Sequence, residues 1–315
     1  MTDSTTKYDV VGLGVSTLDL LMLVEEFPGQ EMVQRAHESS LAGGGPVATA
    51  MVALARFGAR TAMLDRLGDD WRGDVIAEEF RREGVCTEHI VSSTASSSSI
   101  ASILIRKNDG ARAITYAPGS AGDLLPDDIS ENDVLSTKIL HLNGRHLESC
   151  LSLARLARSR GVLVSFDGGA HRYRPELDRL LNLTDICIVA REFASSFSGE
   201  GDDVEASAAK LMEAGPSIVV ITAGTEGCWV FQRGDESFHQ PPFLMPSVVD
   251  TTGAGDAFHG GFLFGMVQGW SLKQCAVVAS AVAAMSTQKI GGRAALPSLF
   301  EAEDFLSSRG ASLAE

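Results

Sequence analysis

The stretch Asp250-Thr251-Thr252-Gly253-Ala254-Gly255-Asp256-Ala257-Phe258-His259-Gly260-Gly261 joins a turn of small residues directly to an apolar run. That run, from Ala257 to Val267, is too long for an ordinary strand and predicts a buried helix. Gly253, Ala254 and Gly255 then sit at the helix N-terminus, where backbone N–H groups have no intrahelical partner. No bulky side chain stands in the way, so a phosphate can reach those donors and the positive end of the helix dipole. Asp256 contradicts such a site on charge alone. A carboxylate there repels phosphate, unless its task is to take a proton from a hydroxyl attacking that phosphorus. A first-turn Asp can also simply cap its helix, and spacing alone favours that plainer role.

A second glycine loop, Ala42-Gly43-Gly44-Gly45-Pro46-Val47-Ala48-Thr49-Ala50, feeds a helix predicted to run to Phe57, with Gly58 as its stop. Glycines before a Pro at the first helical position let backbone approach a ligand, although a plain turn reads the same way. Upstream, Tyr8 to Leu13 reads as a buried first strand ending in Gly12-Leu13-Gly14. The third Gly of a dinucleotide fingerprint is missing, and so is the immediate helix. Asp19 lies inside the apolar stretch Leu18–Val24. It either faces water on an alternating strand or needs a partner.

From residue 61 onward strand and helix patterns alternate. Strands are expected at about 61–68, 137–142, 162–167, 184–189 and 217–222, and helices at about 148–160, 175–182, 204–214 and 272–287. This pattern means a mostly parallel, doubly wound α/β sheet with helices on both faces. Two hairpins, at about 16–42 and 95–118, stand off it, the second turning at Asn108-Asp109-Gly110. The whole chain, 1–315, reads as one domain. Ligands of open parallel sheets bind beyond the carboxyl ends of the strands. Three loops fall there: Asn143-Gly144-Arg145-His146, Asp167-Gly168-Gly169, and Thr222-Ala223-Gly224-Thr225-Glu226-Gly227. Arg145 would suit an anionic substrate group, though an ordinary surface Arg fits the spacing too. Asp167 has no assignable role. The chain has no Walker A sequence, so nucleotide phosphates need another loop.

The formal charge of −15 argues against nucleic acid or an anionic membrane as partner. Apolar residues make up 44% and charged residues 21%, ample for a globular core. The five cysteines form no C-x-x-C pair, which fits a reducing compartment and neither a disulfide framework nor a zinc site. The segment Met1–Lys7 lacks the apolar core of a signal peptide, so a cytoplasmic location is expected.

The string 250–261 resembles the second signature of the PfkB/ribokinase family of carbohydrate kinases. The loop 43–50 resembles the first, Gly-Gly-x-Pro-x-Asn-x-Ala, with Ala48 where Asn is usual. The resemblance implies a ribokinase-like sheet whose two hairpins form a small β lid, through which a homodimer would assemble. It implies ATP-dependent phosphorylation of a sugar hydroxyl, with Asp256 as general base and Gly253, Ala254 and Gly255 as anion hole. Asp19, Gly43 and Gly44 would hold the sugar. Thr222, Gly224 and Gly227, with Gly253 and Gly255, would hold MgATP. Backbone carbonyls of Asp250 and Thr252 would bind a monovalent cation such as K+. The family's Asn-x-x-Glu, which organises Mg²⁺, is replaced by Ala190-Arg191-Glu192-Phe193. Glu192 is left to act through water, with Mg²⁺ held mainly by ATP phosphates. Gly-Gly-Gly-Pro-x-Ala-Thr-Ala, Gly-Gly-Arg-Ala and Arg145 are most similar to the sulfofructose-kinase-like branch, whereas Thr115 stands where that branch carries Asn. A nucleoside kinase shares these motifs. A non-catalytic, ligand-binding regulator is the remaining alternative.

Overall fold

The chain opens with β1 (Val10–Leu13), whose four residues are all buried, as an uninterrupted apolar strand covered on both faces requires. It leaves the main body for β2 (Thr17–Val24) and β3 (Glu38–Gly44), then returns through α1 (Pro46–Arg56) and β4 (Thr61–Gly68). Next come α2 (Trp71–Arg82) and the short strands β5 (Val85–Cys86) and β6 (Ile90–Ser93). A second excursion makes β7 (Ile100–Arg106) and β8 (Arg112–Ala117). Strand and helix then alternate: α3 (Glu131–Val134), β9 (Ile139–Leu142), α4 (Leu147–Ser159), β10 (Leu163–Gly168) and α5 (Asp178–Leu181). The pattern continues with β11 (Ile186–Ala190), α6 (Arg191–Ser198), α7 (Val204–Ala214) and β12 (Ile218–Thr222). After β13 (Cys228–Gln232) and β14 (Phe238–Gln240), helices α8 (Ala254–Gln268), α9 (Leu272–Ser286) and α10 (Leu299–Ser308) complete the chain. This computed structural model describes residues 6–311, so most of the segment read for a signal peptide lies outside the described residues.

The main sheet has the order β14-β13-β12-β11-β10-β9-β1-β4-β5, with β6 also on β4. Every pairing from β12 to β5 is parallel, and only β13 and β14 are antiparallel. Its two faces bury separate cores. Val11 and Leu13 join Leu140, Phe166 and Phe193 in one, while Val10 packs with Met51, Leu54 and Leu263 in the other. The two hairpins pair with each other. Their strands form one four-stranded sheet, β3-β2-β7-β8, joined through the parallel pair β2–β7. Among the described residues no helix is long and apolar enough to cross a membrane.

The departures from the sequence reading are local. Residues 175–182 form a 3-10 turn, Pro175–Leu177, and a single helical turn rather than a full helix. The Ser-rich run that leads into the second hairpin, as its place in the sequence implies, is held by carboxylates. Asp69 accepts the N–H groups of Ala95 and Ser96, and Asp70 accepts those of Ser98 and Gly73.

The interior glycines of α8 have the close neighbours their cost implies. A Cβ on Gly260 would strike Ala53 of α1, and one on Gly261 would come within 2.9 Å of the Ala279 backbone on α9. Overpacking of this kind costs about 1–3 kcal/mol. Gly261→Val should therefore lower the urea midpoint by that much stability, and an unchanged midpoint would mean the helices can part cheaply.

Candidate active site

Helix α8 begins beside Gly253, which adopts the left-handed conformation at φ 74°. A Cβ there would come within 2.7 Å of Gly292, so both strain and crowding select Gly. Ala257 N–H donates to Gly253 O at 2.8 Å, and Ala254 N–H leans on Thr251 O at 3.3 Å. Among the described residues the N–H groups of Gly255 and Asp256 have no backbone acceptor. A Cβ on Gly255 would meet nothing within 4 Å. The turn therefore presents open donors to open space, which is what an anion needs. Asp250 is buried and spends its carboxylate holding this turn. Oδ1 accepts Thr252 N–H and Oδ2 accepts Gly291 N–H, each at 2.8 Å. The lid reaches the same turn. Arg112 of β8 donates to Thr251 Oγ1 at 2.6 Å, and that hydroxyl donates to Gly110 O at 3.1 Å.

Asp256 is half-buried in the first turn of α8. Burial, and then the negative charge of Asp167, push its carboxyl up to about 6 against the pull of Arg172, Arg112 and Arg293. Asp19, on β2, is buried, and its Oδ1 accepts Thr17 Oγ1–H at 2.6 Å. Burial raises its carboxyl too; the Thr17 hydrogen bond and Arg293 oppose the rise, while the charges of Asp256 and Glu79 add to it. Gly44, which pairs with Thr17 across the β2–β3 ladder, lies where any Cβ would collide with the Asp19 carboxylate. A Cβ on Gly43 would strike the Arg293 guanidinium. The backbone of both glycines is already engaged: Gly43 N–H donates to Glu79 Oε2 at 2.6 Å, and Gly44 O accepts Arg293 Nη2–H at 2.9 Å.

Arg293 and Glu79 escaped the sequence reading. Arg293 is only 2% exposed, bonds Glu79 Oε1 at 3.0 Å and lies 5.2 Å over the Phe80 ring. Together they clamp the glycine loop. A charged residue inside Gly-Gly-Arg-Ala-Ala-Leu, 291–296, was the available clue, since such a residue needs a buried partner. The sequence places Asp167 at a strand end without a role, and His259 only within the 250–261 string. Both are buried, with His259 Nε2 at 3.4 Å from Asp167 Oδ1.

The loop after β9 exposes Arg145 beside the lid, with its guanidinium 5.8 Å from the Tyr116 ring of β8. Among the described residues it has no ion-pair partner. The next residue, His146, is buried in a left-handed conformation at φ 54° that is costly for a non-glycine. It is fixed there by Asp65, at 3.0 Å from Nε2. In the loop after β12, Ala223 N–H bonds Gly227 O at 2.9 Å and Thr222 Oγ1 donates to Val189 O at 3.4 Å. Gly224 and Gly227 have φ 53° and 87°, and a Cβ on Gly224 would meet nothing within 4 Å. Far from these loops, Cys86, Glu88 and His89 bring possible ligand atoms within 4.8 Å of one another. Lys7 bonds Glu88, and the Tyr8 hydroxyl bonds Cys86 and His89, so this trio is a satisfied polar network.

Residues 6–299 match the pfkB family of carbohydrate kinases. The chain belongs to that family. It is 32% identical over 251 residues to an uncharacterized sugar kinase of Archaeoglobus fulgidus, covering 78% of this chain and 98% of the relative. It is 27% identical over 323 residues to a 5-dehydro-2-deoxygluconokinase of Geobacillus thermodenitrificans, covering 96% and 94%. Among solved structures it is similar to Arabidopsis thaliana ribokinase complexed with ribose and ATP. That match has a TM-score of 0.82 and 25% identity, with 95% and 98% of the two chains covered. The expected ribokinase-like fold is therefore the observed one, and the protein is a phosphotransferase acting on sugar hydroxyls.

One family segment is rebuilt in this pfkB kinase. Phe193, the residue that the resemblance sets in place of Glu, is fully buried against Phe166 and Tyr173, with ring centroids 5.6 and 5.5 Å away, so it belongs to the core. Glu192 is exposed in the first turn of α6. Arg191 bonds Glu226 of the loop after β12 at 2.8 Å and lies 5.2 Å over Trp229. The residues present thus suit Mg²⁺ carried in by ATP better than a side-chain cage.

Proposed function

We propose that Asp256 is the general base for transfer of the γ-phosphoryl group of MgATP to a hydroxyl of an anionic sugar. The observation that carries this reading is a carboxylate of raised proton affinity beside unpaired N–H donors on one helix turn. Asp256 takes the hydroxyl proton as the sugar oxygen bonds to the γ-phosphorus. The bond from that phosphorus to the bridging oxygen breaks, and its electron pair leaves with ADP. The turn Gly253-Ala254-Gly255 takes up the charge on the transferring group. Asp19 accepts a sugar hydroxyl, in a pocket that Gly43 and Gly44 keep open. Thr222, Gly224 and Gly227 border the nucleotide. Mg²⁺ bound with ATP would neutralise phosphate charge, and the exposed Glu192 is the carboxylate that would serve it through water. A monovalent cation on the carbonyls of Asp250 and Thr252, and a homodimer through the exposed edge strand β8, belong to the same reading.

Arg145 carries the substrate's anionic group in this account. It is exposed, unpaired and held at the junction of sheet and lid, in a protein whose net charge repels anions. The test is ADP release from MgATP across ketoses, aldoses, nucleosides and sulfonated or phosphorylated sugars. Arg145→Ala should raise KM for the anionic acceptor about 10-fold or more, the usual worth of a charge-assisted hydrogen bond. Turnover confined to neutral sugars and indifferent to Arg145→Ala would return Arg145 to the surface. Turnover on nucleosides alone would make the protein a nucleoside kinase.

A further inference from the structure

Asp167 closes β10, next to β11 in the centre of the main sheet, where its 3% exposure leaves it almost no water. Its Oδ1 faces His259 Nε2 at 3.4 Å, and its Oδ2 has no hydrogen-bond partner. A buried carboxylate with a bare oxygen is costly to keep. The cost points to a job. His259 stands three residues after Asp256 on α8, so the two side chains share a helix face. Asp167 therefore meets α8 at His259, one turn beyond the base and on the same helix face. Behind it, His141 lies 5.3 Å from His259, ring to ring, and bonds Ser165 Oγ at 3.1 Å. Burial holds both imidazoles neutral.

We propose that Asp167 is a positioning residue. With His259 it anchors α8 one turn beyond the general base and holds a second carboxylate on the base's side of the helix. This inference rests on Asp256 being that base. A like charge close by makes Asp256 bind its proton more tightly, which suits a group that must take one from an alcohol. The charges facing Asp256 come from every side: Asp167 of β10, Arg172 of the following loop, Arg112 of the lid, Arg293 of the clamp and Asp19 of β2. Of these, only Asp167 and Asp19 are acidic, and burial raises both carboxyls, that of Asp167 to about 6.

The experiment is the pH profile of kcat/KM for Asp167→Asn, which keeps the shape and the acceptor for His259 but removes the charge. The acid limb should move to lower pH by roughly one unit, because the remaining base ionises more readily. The thermal midpoint at pH 8 should hold or rise, since a buried charge has been deleted. An unmoved limb overturns the proposal. A fallen midpoint with an unmoved limb assigns Asp167 to the fold. Asp256→Asn, run alongside, separates the two levels: if it keeps full turnover, the base reading itself fails. If Asp167→Asn does not fold, carboxyl ¹³C titration of the unmodified protein decides. Two linked steps shared by Asp167 and Asp256 support the pair, and independent single steps overturn it.

Discussion

Asp256→Asn is expected to lower kcat by roughly 10²–10⁴-fold, the usual loss for a positioned base, while KD for nucleotide stays within a few fold. The split matters because Asn keeps the helix turn, its N–H donors and its shape, and loses only the capacity to accept a proton. Stability should move the other way. Asp256 ionises near 3.8 in the unfolded chain and at about 6 in the folded one. Between those values the folded state binds more protons, so stability falls as pH rises through that window. Asn has no such penalty, and its thermal midpoint at neutral pH should equal or exceed that of the unmodified protein. Full turnover with unchanged nucleotide binding would leave Asp256 a mere helix cap.

The second large effect is expected at Arg293. Its guanidinium ties Glu79, Gly44 O and Thr49 together, at 3.0, 2.9 and 3.3 Å. Arg293→Ala leaves Glu79 buried without its counter-charge, held only by Gly43 N–H on Oε2, and breaking a buried ion pair in this way costs about 3–5 kcal/mol. The double variant Arg293→Ala/Glu79→Gln should recover part of that loss, because neighbours in one network are not additive. The sugar KM should rise with it, since the clamp holds the loop that gives Asp19 its space. Equal denaturation midpoints for Arg293→Ala and the unmodified protein would show that the pair is dispensable.

The doubly wound sheet was legible because its buried strands are continuous apolar runs, Val10–Leu13 and Ile186–Ile188 among them, separated by helices of ordinary length. The turn at 253–255 was legible because glycines before an apolar run have few other uses. What sequence could not give was partnership across the fold. Arg293 and Glu79 are 214 residues apart, and no local pattern pairs them. Asp167 and His259 looked like a strand end and a helix interior residue. Only the crossing of β10 with α8 makes them a buried pair. The two hairpins were read correctly as hairpins, but the parallel β2–β7 pairing that fuses them is long-range and leaves no periodic trace. Helix α6 was not legible because it has only eight residues and begins after Ala190, with no side-chain cap to mark its start.

The most direct test of the whole account is a product measurement. Unmodified protein would be incubated with MgATP and its best acceptor, and followed by ³¹P NMR with ADP measured in parallel. The account predicts one sugar phosphate monoester formed for each ADP released, with no free phosphate. ADP accompanied only by inorganic phosphate, or nucleotide bound with neither product across the full acceptor panel, would contradict it.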